Sequence, residues 1–154
     1  MLLDPQLLKP LPFLEGLSDA DREALALCFQ GRGYAPGDTV FDEGDPGASM
    51  LLIEQGTLSA TSKASGALLA RRFGPGQVIG EASLFDPSPR TVTLRATTPA
   101  LVFELNEDAL IGLRKNVPAA ARAFATVSLR SLLRRVRLIE KQLDTEIERM
   151  SMLW

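Results

Sequence analysis

The sequence predicts an α+β protein, with an antiparallel sheet sandwich or barrel flanked by helices and followed by a long C-terminal helix. Three observations predict it. Residues 33–62 alternate turn marks (Pro36-Gly37, Gly44-Asp45, Pro46-Gly47, Gln55-Gly56) with short apolar or β-branched runs. Helix-start signals stand on either side of the strand region, at Ser18 and at Asn106. From Pro118 onward the apolar period is helical.

In chain order, Ser18-Asp19-Ala20-Asp21 has the form of a helix start. Ser18 is the N-cap, acids occupy the first turn, and Leu17 is placed to staple onto the helix. Ala24, Leu25, Leu27, Cys28 and Phe29 continue it, and Gly31 and Gly33 are expected to stop it. Strands are expected at residues 39–41, 50–54 and 57–62. A turn at Ala64-Ser65-Gly66 precedes the run ALLARRF, and residues 101–105 form the last strand. Asn106-Glu107-Asp108 starts another helix, and Pro118 suits the first turn of the final one. Phe41, Leu52, Ile53, Phe73, Ile79, Leu84 and Phe103 are the expected core. The organisation is a single domain, with residues 1–117 as lead-in and β region and 118–154 as a closing helix.

Composition narrows the function. The chain has 154 residues, 45% hydrophobic and 23% charged, as in an ordinary globular domain with one core. No apolar run approaches the ~18 residues of a membrane span. The opening MLLDPQLLKPLPF lacks the basic start of a signal peptide, so a cytoplasmic location is expected. Net charge is −2, which provides no global field for nucleic acid. Histidine is absent and Cys28 is the one cysteine. That argues against a metal site and excludes a Ser-His-Asp or Cys-His catalytic set. Cys28 reads as a core residue in a reducing compartment.

Chemistry concentrates in residues 73–96, FGPGQVIGEASLFDPSPRTVTLRA. Gly74 and Gly76 read as turn residues. Gly80 lets the backbone approach a ligand closely. The run from Glu81 to Phe85 is long enough for one or two helical turns, whose free N–H groups would face an anion. Arg90 can fork two donors onto a phosphate or carboxylate. Ionised Glu81 only accepts, which suits a sugar hydroxyl. The two, nine positions apart, describe a ligand both anionic and hydroxylated. The alternative is that Arg90 simply pairs with Glu81 and holds a loop.

The last helix carries a heptad pattern. Leu129, Val136, Leu143 and Met150 share one position; Leu132, Ile139 and Leu153 share the other, interrupted by Glu146. Arg135 and Glu140 fall where they would pair across a two-stranded coiled coil. A homodimer through this helix is expected; the alternative is that the stripe packs on the β region. Arg130, Arg134, Arg135 and Arg137 read as a solvated helix face and not as a DNA contact.

Residues 73–96 resemble the phosphate-binding cassette of cyclic nucleotide-binding domains, the family of the catabolite activator protein, protein kinase regulatory subunits and cyclic nucleotide-gated channels. Gly80-Glu81 followed by Pro89-Arg90-Thr91 carries the resemblance. YAPGDTVFDEGDPGASMLLIEQGTLSA (residues 34–60) is similar to the family's first strands, and KPLPFLEGLSDADREALA (9–26) to its helical lead-in. The resemblance spans roughly residues 8–140 and implies a β-roll or jelly-roll sandwich with N-terminal helices. It implies that Gly80 and the N–H groups of Ala82 and Ser83 lie near cyclic phosphate and ribose. By the same resemblance Glu81 accepts from the ribose 2′-hydroxyl, and Arg90 pairs with the exocyclic phosphate oxygens. Thr91 would reach the phosphate or the 2-amino group of a syn guanine. The C-terminal helix would close over the base, with Leu138, Ile139 and Gln142 as base contacts. Ala82 and Val92 depart from the family pattern, Val92 in a way that would crowd the pocket.

The expectation is a standalone, non-enzymatic regulatory module that binds cAMP first and cGMP second, with no cofactor beyond that ligand. It would signal through its last helix to a dimer partner or an unidentified protein, without DNA or membrane contact. The competing expectations are a dimerising scaffold without nucleotide and a binder of cyclic dinucleotides.

Overall fold

A computed structural model describes residues 1–63 and 71–152. The turn expected at Ala64-Ser65-Gly66, and Leu153 of the heptad, lie outside the described residues. Two 3₁₀ turns, Pro5–Leu8 and Pro12–Leu14, lead in, each with proline at its start. Helix α1 (Asp19–Ala26) follows, with the Ser18 hydroxyl accepting from the Asp21 N–H at its N-cap. Leu17 is buried in the core beneath it.

The strands build two four-stranded antiparallel sheets. The first has the order β1 (Gln30–Tyr34), β10 (Ala100–Asn106), β4 (Ser49–Gln55), β7 (Val78–Ile79). The second has the order β2 (Thr39–Phe41), β9 (Thr93–Ala96), β5 (Leu58–Thr61), β6 (Arg71–Phe73). A small ladder joins β3 (Pro46–Gly47) to β8 (Ser88–Pro89). These crossovers make a β-roll.

Strand β4 shows why the roll needs helices. Its Leu51 and Ile53 point into the core between the sheets, while Met50 and Leu52 point into a second core under the helices. With both faces covered, the strand reads as a continuous apolar run. Helix α3 (Glu107–Asn116) is capped by the Asn106 side chain, which accepts from the Ala109 N–H. Helix α4 (Pro118–Ser151) begins at its proline. Ala120, Ala121, Phe124 and Val127 of α4 are buried against the other helices. Each large side chain so buried contributes on the order of 1.5–3 kcal/mol. Beyond Ser128 the helix leaves the core, and Leu129, Val136, Ile139, Leu143 and Met150 are all at least half exposed.

Three local expectations change. Gly31 and Gly33 do not end α1, which stops at Ala26 with Leu27 as its C-cap. Both glycines lie in β1, and Phe29 is buried beyond the helix. The reason is packing: Gly31 pairs with Phe103, and a Cβ there would meet that ring at 2.9 Å. Pro46-Gly47, expected only as a turn, pairs with Ser88-Pro89 instead. Cys28 is half-buried, its thiol donating to the Ala24 carbonyl at 3.5 Å, and burial raises its pKa. No helix among the described residues is long and apolar enough to cross a membrane.

Candidate functional site

Arg90 sits in a slot assembled from four distant stretches of chain. The β3–β8 ladder brings Gly47 alongside it, and the Gly44-Asp45 turn clamps its backbone. Arg90 N–H donates to the Asp45 carbonyl, and Gly44 N–H donates to the Arg90 carbonyl, both at 2.8 Å. The guanidinium donates to the Ser49 carbonyl at 3.1 Å and to the Ser49 hydroxyl at 2.8 Å. It lies over the Phe41 ring at 4.4 Å. Two glycines make the room. A Cβ at Gly80 would meet the Arg90 Nη1 at 2.6 Å, and one at Gly47 would meet Arg90 Nε at 3.0 Å. Gly80 also holds φ of +79°, a left-handed conformation that disfavours any Cβ. Gly80 therefore makes room for Arg90 and accommodates the backbone turn.

Arg90 is only 9% exposed, and its Nε has no hydrogen-bond partner. Burial pulls its pKa below the ordinary arginine value, and the charges of Glu104 and Asp45 partly oppose that. Neither carboxylate is ion-paired with it among the described residues. A buried cation without a contacting counter-ion is costly to keep, and an anion delivered to it would relieve that cost.

Next to the slot lies a cavity of about 330 Å³, lined by Gly80, Glu81, Thr91, Val92, Arg71, Phe73, Arg135 and neighbours. That volume is at the small end of the ~300–1,000 Å³ typical of small-molecule sites. Gly80 belongs to both the slot and the cavity. Helix α2 (Glu81–Phe85) begins at Gly80 and places Glu81 in its first turn. Ser83 N–H donates back to the Gly80 carbonyl at 3.0 Å, while Ala82 is exposed in the same turn. Val92, expected to crowd the pocket, is part of its wall.

The structure brings Gly80, Glu81 and Thr91 together in one cavity, with Ala82 and Ser83 at the start of the adjoining helix. It holds Arg90 immediately behind them. Glu81 does not pair with Arg90. Its carboxylate accepts from Arg135 of α4, the residue expected to pair with Glu140 of a second chain. Leu138, Ile139 and Gln142 are not brought to the cavity; all three are exposed. They sit three, four and seven positions beyond Arg135, on the same helix face but one to two turns, or about 5–11 Å, further along. Sequence reasoning missed the contributions of Gly47, Ser49, Arg71 and Arg135 to this region. The described residues contain no cluster of three or more acidic, Cys or His side chains suited to a metal ion.

Residues 32–116 match the family model described as the cyclic nucleotide-binding domain. A cAMP-dependent protein kinase regulatory subunit of Colletotrichum orbiculare is 32% identical over 102 residues, covering 66% of this chain and 26% of that protein. A CRP-like cAMP-activated global transcriptional regulator of Mycobacterium tuberculosis is 30% identical over 122 residues, covering 78% of this chain and 54% of that protein. The chain thus spans between about a quarter and a half of these curated relatives. The crystal structure of the N-terminal domain of a transcriptional regulator from Streptomyces coelicolor superposes with a TM-score of 0.77 at 31% identity. That superposition covers 89% of this chain and 94% of the other.

Proposed function

The chain belongs to the cyclic nucleotide-binding domain family, and from that membership we propose that it is a non-enzymatic regulatory module that binds a cyclic mononucleotide, cAMP or cGMP. The observation that carries this is the buried, incompletely satisfied Arg90 adjoining a cavity in which Glu81 is the one carboxylate among the described lining residues. A cyclic nucleotide supplies what both need: a phosphate anion for Arg90 and a ribose hydroxyl donor for Glu81. Gly80, Ala82 and Ser83 line the phosphate and ribose with backbone, and Thr91 offers a hydroxyl. The cited relatives carry regulatory names, which supports the non-enzymatic reading.

The Arg135–Glu81 pair supports a route for the signal. A ribose hydroxyl at Glu81 competes with Arg135, so ligand alters how α4 is held against the cassette. The ligand then shifts a population between two seatings of α4, as its differential contacts allow. Leu138, Ile139 and Gln142, on the same helix face, reach the base only in a closed seating. The exposed stripe Leu129, Val136, Ile139, Leu143 and Met150 is the surface for a second copy or another protein. Sedimentation of the chain truncated after Arg130 tests the dimer. A monomer is expected where the full chain is dimeric, and an unchanged dimer would place the contact elsewhere.

Calorimetric titration with cAMP, cGMP and cyclic di-GMP tests the function. Micromolar or tighter binding of a mononucleotide is expected. Arg90→Ala should lose most of that affinity, and Glu81→Ala a smaller part. If no nucleotide binds the native protein, the reading fails in favour of a nucleotide-independent scaffold, which Arg90's bonds to Ser49 favour. Binding of the cyclic dinucleotide alone would replace the ligand class.

A further inference from the structure

Beyond Ser128 the exposure of α4 selects one heptad register over the other. Leu132 shares a face with buried Ser128 and with Arg135, which pairs with Glu81, and it is half-buried there. Leu133 and Ile147 are exposed instead. The free seam is therefore Leu129, Leu133, Val136, Glu140, Leu143, Ile147 and Met150, in alternating steps of four and three. Every member is exposed, and only Glu140 is polar. Leu133, Glu140 and Ile147 take the places that the sequence pattern gave to Leu132, Ile139 and Glu146.

Two copies can lay this seam together in two senses, and the charges favour one. Glu140 is the middle member of the seam. In a parallel pair each seam residue faces its own counterpart, so two Glu140 carboxylates oppose each other between apolar layers. Arg137 and Asp144, on one flank, then face Leu132 and Ile139 of the second copy and gain no opposite charge. In an antiparallel pair centred on Leu138, Leu129 faces Ile147, Leu133 faces Leu143, and Val136 faces Glu140 of the other chain. Glu140 then sits beside Arg137 of the other chain, and Arg130 lies alongside Asp144. The two Arg137 side chains approach at the two-fold axis, each flanked by a Glu140 of opposite charge. Arg130, Arg137, Glu140 and Asp144 have no ion pair among the described residues, so all four are free to make these contacts.

An apolar groove at the base of the seam favours the same sense. It has a volume of about 340 Å³ between α2, α3 and α4, and its lining includes Leu84, Phe85, Leu110, Ile111 and Ala125. Ala125 lies one helical turn before Leu129 on the same exposed face. In the antiparallel pair Met150 of the second copy falls beside Ala125 and Thr126, where a flexible thioether can fill the groove. In the parallel pair Met150 faces Met150, and the groove gains nothing.

We propose that two copies of this chain pair through α4 in the antiparallel sense, along the seam from Leu129 to Met150, with Glu140 seated beside Arg137 of the second copy. The proposal rests on reading the exposed stripe of α4 as a surface for a second copy, and it adds the direction and the contacts. Helix α2 carries Glu81 as well as Leu84 and Phe85, so the end of each α4 seats against the helix that opens the other chain's candidate site.

Disulfide trapping in the full chain tests the direction, with Cys28→Ser removing the native thiol. Leu129→Cys and Ile147→Cys are prepared singly, mixed while reduced, and then oxidised. These positions meet in the antiparallel pair, whereas the two copies of position 129 stand about 27 Å apart, far beyond the ~7 Å limit for a disulfide. The mixture should cross-link position 129 to position 147, and Leu129→Cys alone should stay uncross-linked. Self-cross-linking of Leu129→Cys would overturn the antiparallel sense while keeping α4 as the dimer surface. Sedimentation of the native chain separates the two readings, because a monomer at every concentration would overturn both. Glu140→Arg sets a like charge beside Arg137 and should weaken the dimer roughly two- to fivefold per pair lost. Adding Arg137→Glu should recover that loss. In a parallel dimer Glu140→Arg only exchanges one like-charge pair for another, so an unchanged dissociation constant would overturn the proposal.

Discussion

Arg90 lies over the ring of Phe41 at 4.4 Å, and Arg71 lies over the ring of Phe73 at 5.0 Å. The two pairs share a chemistry and differ in almost everything around it. Arg90 is 9% exposed, bonded twice to Ser49 and fitted between two glycines. Arg71 is exposed, on a three-residue strand, with its donors free of hydrogen bonds among the described residues. A sealed cation has one geometry, which fits the phosphate role proposed for Arg90. An open cation has no single geometry imposed on it. The difference also separates their energetics: a cation–π contact is worth about 2 kcal/mol or more when desolvated and about 0.5–1 kcal/mol at an exposed site.

The largest expected effect breaks the sealed pair. Gly80 and Gly76 both hold φ of +79°. A Cβ at Gly76 meets nothing within 4 Å, while one at Gly80 meets Arg90 Nη1 at 2.6 Å and the Ser49 carbonyl at 3.0 Å. Gly76→Ala should therefore cost only the backbone term, roughly 1–2 kcal/mol. Gly80→Ala should cost that and a further ~1–3 kcal/mol for overpacking. The Arg90 guanidinium would have to shift, and its bonds to Ser49 oppose that shift. Urea unfolding of both variants, at unchanged slope, measures the difference. Equal destabilisation would mean that the slot is loose and that Arg90 is not sealed.

The same contrast explains what could be read from the sequence. Strand residues 39–41 and the caps at Ser18 and Asn106 were legible because local spacing determines them. The β3–β8 ladder was not, because two-residue strands of proline, glycine and serine carry no apolar alternation. Gly31 misled because glycine both ends helices and makes room for a ring, and only the pairing with Phe103 decides between the two. Arg90 stood out within its own motif, but its partner Ser49 is 41 positions away. The Arg135–Glu81 pair spans 54 positions. Arg71 and Arg72 are indistinguishable by composition; only the register against Ala60 shows which one faces the cavity. Contacts set by spacing along the chain could be inferred, and contacts set by sheet register could not.

The smallest expected effect tests the open pair. Phe73→Leu keeps an apolar side chain on β6 but removes the ring beneath Arg71. An exposed cation–π contact is worth about 0.5–1 kcal/mol, and that is the loss of stability expected. In an Arg71→Ala background, where the contact is already gone, Phe73→Leu should cost less by the same amount. Urea unfolding of the two single variants and the double variant measures that coupling. Equal costs in the two backgrounds would mean that ring and guanidinium are not coupled, and the likeness between the two arginine–phenylalanine pairs would be one of geometry alone.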